Sequence, residues 1–259
     1  MLLGVNIDHI AVLREARLVN DPSPLDALFV AKSSGADQIT IHLREDRRHI
    51  HDDDAADIIR LSPLPVNLEC SVNPEIIDIV CRLRPHRATL VPENRNEVTT
   101  EGGLDLKNMR DKSAAAIARL QKEEIGVSLF VDPDPLSMEL SAELGAEMVE
   151  LHTGRYANIY GMLYGNLART RYSIKELELP RSELKQMLHE ELVRLKDAAA
   201  IAHGLGLQVA AGHGLNYQNV EPFTRMPHII ELNIGQSIVA RSVYTGLAEA
   251  IREMKSILS

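Results

Sequence analysis

Aromatic side chains are scarce in this chain: its 259 residues include no tryptophan, three phenylalanines and six tyrosines. A sizeable core must therefore be aliphatic, and the stacking platforms that usually hold single-stranded nucleic acid are missing. Positive charge is also in short supply. Lys and Arg number 28 against 37 Asp and Glu, a formal net charge of −9. That balance argues against a nucleic-acid partner, because such proteins present a basic face to phosphates. Cysteine is limited to Cys70 and Cys81. One disulfide is possible, but two thiols in a chain of this size fit a reduced, cytosolic protein better. No apolar run approaches the roughly 18 residues of a spanning helix. Asp8-His9 interrupts the first apolar stretch, so no secretory signal is expected. With 45% hydrophobic and 25% charged residues, the expectation is a cytoplasmic globular protein without a membrane partner.

What the chain does have is a recurrence of short β-branched or apolar runs. There are eight: Leu2–Ile7, Ile39–Leu43, Val66–Leu68, Thr89–Val91, Val127–Val131, Met148–Leu151, Gln208–Ala211 and Ile229–Ile234. At or just beyond their ends lie Asp8-His9, His42, Glu69, Glu93, Asp132, His152, His213 and Gly235. Helical stretches separate the runs. Eight strands alternating with helices predict an α/β fold, a single-domain TIM (β/α)8 barrel over residues 1–259, with its active site at the strand C-termini. Titratable groups gathered at that end make an enzyme the leading expectation.

Helix punctuation supports the count. Ser23-Pro24 opens a helix with Leu25, Leu28 and Phe29 on one face and Gly35 as its stop. Asn73-Pro74 opens another, which Pro85 must end. Asp134-Pro135 opens a third, closing at Gly145. A long helix is expected through Leu184–His203, and the last through Ser242–Leu258. Gly35-Ala36-Asp37 leads to His42 as Gly145-Ala146-Glu147 leads to His152, either a faint internal repeat or a chance likeness between two units. Two connections are long. The polar stretch Asn94–Asp105, with Gly102-Gly103, reads as either a functional loop, for which a lid is the candidate, or a disordered one. The stretch from Arg155 to Ser182, an enlarged connection after the sixth strand, reads as an extra helix, a lid or an oligomer contact.

Several constellations could carry chemistry, each with a plainer counterpart. Asn6 and Asp8 share one face of the first strand, either in a site or in a structural hydrogen-bond network at the barrel mouth; His9, Arg14 and Arg17 follow. His42 through His51 holds Arg44, Arg47 and Arg48. The planar guanidinium fork suits phosphate, and the alternative is a solvated loop paired internally with Glu45, Asp46 and Asp52–Asp54. His49-x-His51 beside three Asp resembles a metal-ligand set, but Arg47 and Arg48 would repel a cation, so no metal is expected. Glu69 is a carboxylate in a buried strand, a group whose pKa tends to rise into the range of a useful base; a buried ion pair is the alternative. Glu150 and His152 share a face of the sixth strand. Ala211-Gly212-His213-Gly214 and Asn233-Ile234-Gly235-Gln236 end the last two strands, where glycines let backbone amides approach an anion and barrels often bind phosphate.

Taken together, these blocks resemble the pyridoxine 5′-phosphate synthase family. They are Gly4-Val5-Asn6-Ile7-Asp8-His9-Ile10, His42-Leu43-Arg44-Glu45-Asp46-Arg47-Arg48-His49-Ile50, Asn67-Leu68-Glu69, Val91-Pro92-Glu93 and Glu97 through Asp105. They continue with Glu150-Leu151-His152-Thr153-Gly154, Ala211-Gly212-His213-Gly214-Leu215 and Glu231-Leu232-Asn233-Ile234-Gly235, in family order almost end to end. The resemblance implies condensation of 3-amino-2-oxopropyl phosphate with 1-deoxy-D-xylulose 5-phosphate to pyridoxine 5′-phosphate, phosphate and water, with no cofactor. It implies Glu69 and His42 as proton acceptors, His213 as proton donor and Glu150 as stabiliser of a charged transition state. It assigns Asn6, Arg17, Gly214, Gly235 and Gln236 to the aminoketone phosphate. Asp8, His9, Arg44, His49 and Thr99 are assigned to the deoxyxylulose phosphate. It also implies a homo-oligomer, an octamer with sites near subunit contacts. A non-catalytic phosphate-binding barrel and a metal-dependent hydrolase barrel are the competing classes.

Overall fold

The computed structural model describes residues 1–93 and 102–259. Eight parallel strands close into a barrel in sequence order. They are β1 (Leu2–Asn6), β2 (Gln38–His42), β3 (Val66–Cys70), β4 (Arg87–Leu90), β5 (Gly126–Val131), β6 (Met148–His152), β7 (Gln208–Gly212) and β8 (Ile229–Ile234). Closure comes from β1 pairing with β8, Leu3 opposite Leu232 and Val5 opposite Ile234. Around it run α1 (Asp8–Glu15), α2 (Asp26–Ser33), α3 (Asp52–Leu61), α4 (Pro74–Leu83) and α5 (Arg110–Lys122). They are followed by α6 (Pro135–Glu143), α7 (Gly154–Leu163), α8 (Arg181–Gly204), α9 (Gln236–Thr245) and α10 (Leu247–Ile257).

Strand alternation sorts side chains into two populations. Leu3, Val5, Ile39, Ile41, Leu68, Leu90, Leu129, Val149, Leu151 and Leu232 are fully buried and point outward, where the helices cover them. This shell between strands and helices is the main core. The opposite faces of the same strands carry Gln38, Thr40, Asn67, Thr89, Ser128, Glu150, Glu231 and Asn233, all buried. The barrel interior is thus polar, and the packing described below satisfies most of it.

Local chemistry explains the helix limits. Asn73 accepts a hydrogen bond from the amide of Glu75, and Asp134 from that of Ser137, with proline next in each case; both are capped starts. Gly35 (φ 98°) and Gly145 (φ 80°) turn the chain out of α2 and α6, in the left-handed conformation that glycine adopts without penalty. Three expectations needed correction. Ser23 does not cap a helix directly: its Oγ accepts from the amide of Leu25, and α2 begins at Asp26. Phe29 does not share the buried face of Leu28; it is 65% exposed. The stretch Ser242–Leu258 is not one helix, because Gly246 (φ 79°, ψ 152°) breaks it between α9 and α10.

Residues 155–182 form α7 and two short 3-10 turns, Leu167–Arg169 and Lys175–Leu177. Ile159, Met162, Leu163, Leu177 and Leu184 make a small second cluster there. The hydroxyls of Tyr156 and Tyr160 donate to the carbonyls of Asn219 and Gln218, tying α7 to the connection between β7 and β8. Residues 94–101 of the candidate lid lie outside the described residues. Past them, the amide of Leu104 donates to the carbonyl of Phe130.

Candidate active site

The interior floor is a hydrogen-bonded set that begins at the strand starts. Arg87 Nη1 lies 3.2 Å from both carboxylate oxygens of Glu231, and Gln38 Nε2 donates to Glu231 Oε1 at 3.1 Å. One layer up, Asn233 Nδ2 donates to Glu150 Oε2 at 2.8 Å and Thr40 Oγ1 donates to Asn233 Oδ1 at 3.1 Å. Thr89 Oγ1 donates to Asn67 Oδ1 at 2.8 Å. Burial first, and then the charge of Glu231, push the Glu150 carboxyl up to about 8; the Asn233 hydrogen bond and Arg87 pull the other way. Two glycines make room here. A Cβ on Gly212 would run into Glu150 Oε1, and one on Gly4 into Asn233 Oδ1.

Above that layer, pairing of β2 with β3 sets His42 beside Glu69. His42 Nδ1 is 4.0 Å from Glu69 Oε2, and its Nε2 is 3.5 Å from Glu93 Oε2. Glu69 sits one residue before the end of β3 and points inward. Burial, then the charges of Glu150 and Asp8, raise its carboxyl well above the ordinary value, so it holds a proton more tightly than a surface carboxylate. Asp8 does not continue the first strand but opens α1. Asn6 Nδ2 donates to Asp8 Oδ2, the Asp8 amide returns a bond to Asn6 Oδ1, and Asp8 Oδ1 accepts from the His42 amide, each at 2.9 Å.

The arginine-rich loop divides. Arg47 and Arg48 are surface ion pairs, at 2.6 Å to Asp52 and 2.6 Å to Asp46, as the internally paired alternative has it. Arg44 instead is buried at 5% exposure, with Nη2 3.1 Å from Glu93 Oε1. The two histidines of the His-x-His pair separate. His49 is buried, accepts from the Ile50 amide and presents its ring edge to His42 at 6.3 Å. His51 turns outward to Glu15, 3.6 Å away. Among the described residues no three His, Cys, Asp or Glu side chains are arranged to hold a metal ion. Arg14 is a support: it holds Asp54 through Nη1 and Nη2 at 2.8 and 2.7 Å and donates to the carbonyl of His49 at 2.7 Å.

Across the mouth, His213 follows β7 with φ 80° and Gly214 with φ 82°. Thr153 Oγ1 lies 2.7 and 2.6 Å from the carbonyls of Gly212 and His213 and fixes this strained turn. The His213 ring meets the His152 ring edge-on at 5.1 Å, and Asp132 Oδ1 is 3.2 Å from His152 Nδ1. The His152 hydrogen bond is the largest cause of a lowered Asp132 carboxyl. Gly235 follows β8 beside Asn6, whose Cβ would be 2.8 Å from a Cβ at position 235. Gln236 begins α9 and is exposed.

The barrel therefore brings together Asn6, Asp8, His9, His42, Arg44, His49, Glu69, Glu150, His213, Gly214, Gly235 and Gln236 at or below one mouth. Arg17 lies apart, exposed in the turn after α1, and Thr99 lies outside the described residues. Of the interior pair Arg87–Glu231, Arg87 stands in no motif of the sequence, while Glu231 opens the block that ends at Gly235. Asn233 stands in the same block.

A model of the family described as "Pyridoxal phosphate biosynthesis protein PdxJ" matches residues 3–259. The pyridoxine 5′-phosphate synthase of Aliarcobacter butzleri (strain RM4018) is 65% identical over 258 residues, covering 100% of this chain and 99% of that protein. The enzyme of the same name from Sulfurovum sp. (strain NBC37-1) is also 65% identical, with full coverage of both. Solved structures share the fold at low identity. A phosphoribosyl anthranilate isomerase from Thermus thermophilus has a TM-score of 0.55 at 17% identity, covering 100% of this chain and 98% of that one. The tryptophan synthase α-subunit of Pyrococcus furiosus has a TM-score of 0.58 at 12% identity, covering 98% and 97%.

Proposed function

The chain belongs to the PdxJ family, and from that we propose that its barrel mouth condenses 3-amino-2-oxopropyl phosphate with 1-deoxy-D-xylulose 5-phosphate to give pyridoxine 5′-phosphate, phosphate and water. One observation carries the mechanism: Glu69, inside the barrel, with a carboxyl raised by burial and by Glu150 and Asp8, beside His42. A carboxyl raised by burial and by neighbouring charge holds a proton more tightly than an ordinary one, so its ionised form is the stronger base. Glu69 and His42 take the protons that ring closure must remove. His213, on the opposite wall, returns one to the leaving group. Glu150 lies beneath them as the group that answers developing charge.

Two phosphate grips flank this axis. Arg44, His49, His9 and Asp8 hold the deoxyxylulose phosphate, joined by Thr99. The Arg44–Glu93 pairing supports this, since a guanidinium kept buried by a carboxylate stays oriented for an incoming anion. Asn6, Gly214, Gly235 and Gln236 hold the aminoketone phosphate, with the amides at the start of α9 facing that end. Arg17, exposed in the turn after α1, is given to the same grip by the family resemblance alone. Around that turn Val12, Leu13, Leu18, Val19 and Phe29 are 41–85% exposed, an apolar surface that supports assembly with further copies of the chain into an octamer. Among the described residues no helix is long and apolar enough to cross a membrane, which accords with a cytoplasmic enzyme.

The test is direct. Both substrates are mixed with the protein, and pyridoxine 5′-phosphate and free phosphate are measured together. Glu69→Gln should lower product formation by roughly 10²-fold or more while phosphate ligands still bind. Near-normal turnover in that variant would remove Glu69 as the principal base.

A further inference from the structure

We infer that Asn233 is a positioning residue for Glu150: its side-chain amide bridges Glu150 to the Arg87–Glu231 ion pair under the site, so that the charge on Glu150 is governed from beneath. This rests on the place given to Glu150 in the proposed reaction. The Asn233 amide has one orientation that satisfies its surroundings. Thr40 Oγ1 at 3.1 Å and Gln38 Nε2 at 3.4 Å both supply donors to Oδ1. Nδ2 is left to donate to Glu150 Oε2 at 2.8 Å and to Glu231 Oε1 at 3.3 Å. An amide nitrogen has two hydrogens, and here each meets a different carboxylate. Gly212 and Gly4 accommodate the pair, because a Cβ at either would strike Glu150 Oε1 or Asn233 Oδ1.

Among the described residues, three charged groups face Glu150. Glu231 comes from β8, Arg87 from β4 and Glu69 from β3. Its register neighbours Phe130 in β5 and Ala210 in β7 carry none. The signs are therefore separable. The Asn233 donor and the Arg87 charge favour the ionised carboxyl, and the Glu231 charge opposes it.

The experiment follows the Glu150 carboxyl itself by infrared difference spectroscopy during pH titration of the whole protein, its C=O band identified by its loss in Glu150→Gln. Asn233→Leu should move the Glu150 midpoint up by about one pH unit, and Glu231→Gln, which keeps shape, should move it down by about as much. The pH profile of kcat should shift with each, while KM for both phosphates changes by less than about 2-fold. A midpoint that stays put, or that moves the same way in both variants, overturns the inference. Opposite shifts together with normal turnover in Glu150→Gln would uphold the bridge and overturn the catalytic place given to Glu150.

Discussion

Arg44 and His213 stand on opposite walls of one mouth, and the proposed reaction gives them different work. Arg44 is buried and held by Glu93, so Arg44→Ala should chiefly weaken deoxyxylulose phosphate binding. Arg44→Lys keeps the charge but loses the two-pronged fork and should recover only part of the affinity. His213→Asn should do the reverse, retaining binding and slowing the chemical step. Titrating each substrate separately into the three variants, alongside kcat, checks both. Unchanged sugar-phosphate affinity in Arg44→Ala would reduce Arg44 to an ion-pair partner. His213 was legible in sequence because it is polar and follows an apolar run, a position that in a barrel means the mouth, and Arg44 because it stands in an arginine cluster within an acidic chain. The pairing of Arg87 with Glu231 was not, the two being 144 residues apart. Arg87 opens a strand, where a charged residue is ordinarily read as facing solvent, and only closure of the barrel brings the two together.

Among the elements, glycines separate space from conformation. Gly212 is needed for room beside Glu150, so Gly212→Ala should lower turnover by about 10-fold or more by displacing that carboxyl. Gly246 is needed for its positive φ at the break between α9 and α10. Gly246→Ala should cost roughly 1–3 kcal/mol of stability and leave turnover unchanged. Steady-state kinetics and denaturant unfolding on the two variants would show the contrast. The strands were predictable because β-branched runs bounded by turn residues have few other uses, and the Asn73-Pro74 and Asp134-Pro135 starts because capping is local. The break at Gly246 was masked by helix formers on either side. The exposed Phe29 shows a different gap: helical spacing says which residues share a face, not which face the barrel covers.

At the scale of the molecule, a buried carboxyl links folding to pH. Glu150 has its pKa raised from 4.5 to about 8 in the folded chain, so the fold binds its proton more tightly than the unfolded chain does. The stability this contributes is complete below about pH 4.5 and is lost as pH rises through about 8; Glu69, also raised, acts in the same direction. Glu150→Gln removes the dependence, so its Tm relative to the parent should improve between about pH 5 and about pH 9. A gap that does not widen would place the Glu150 carboxyl in a wetter setting. Turnover should also survive exhaustive chelation, as expected of proton-transfer chemistry that uses no cofactor. Loss on chelation, restored by one metal, would reject that account.

The alternation of the strands has a consequence for how the sequence can vary. Along β2, Ile39 and Ile41 face the helices while Thr40 and His42 face the axis; along β6, Val149 and Leu151 do so while Glu150 and His152 face inward; along β8, Leu232 and Ile234 oppose Glu231 and Asn233. Successive codons thus answer to different demands, one to foldability and the next to chemistry. In a saturation scan scored separately for cellular abundance and for turnover per molecule, tolerance along each strand should flip at every step. Outward positions should fail mainly by abundance and inward ones mainly by turnover, so the enzyme's chemistry can be redrafted on half the letters of each strand while the other half keeps the barrel standing.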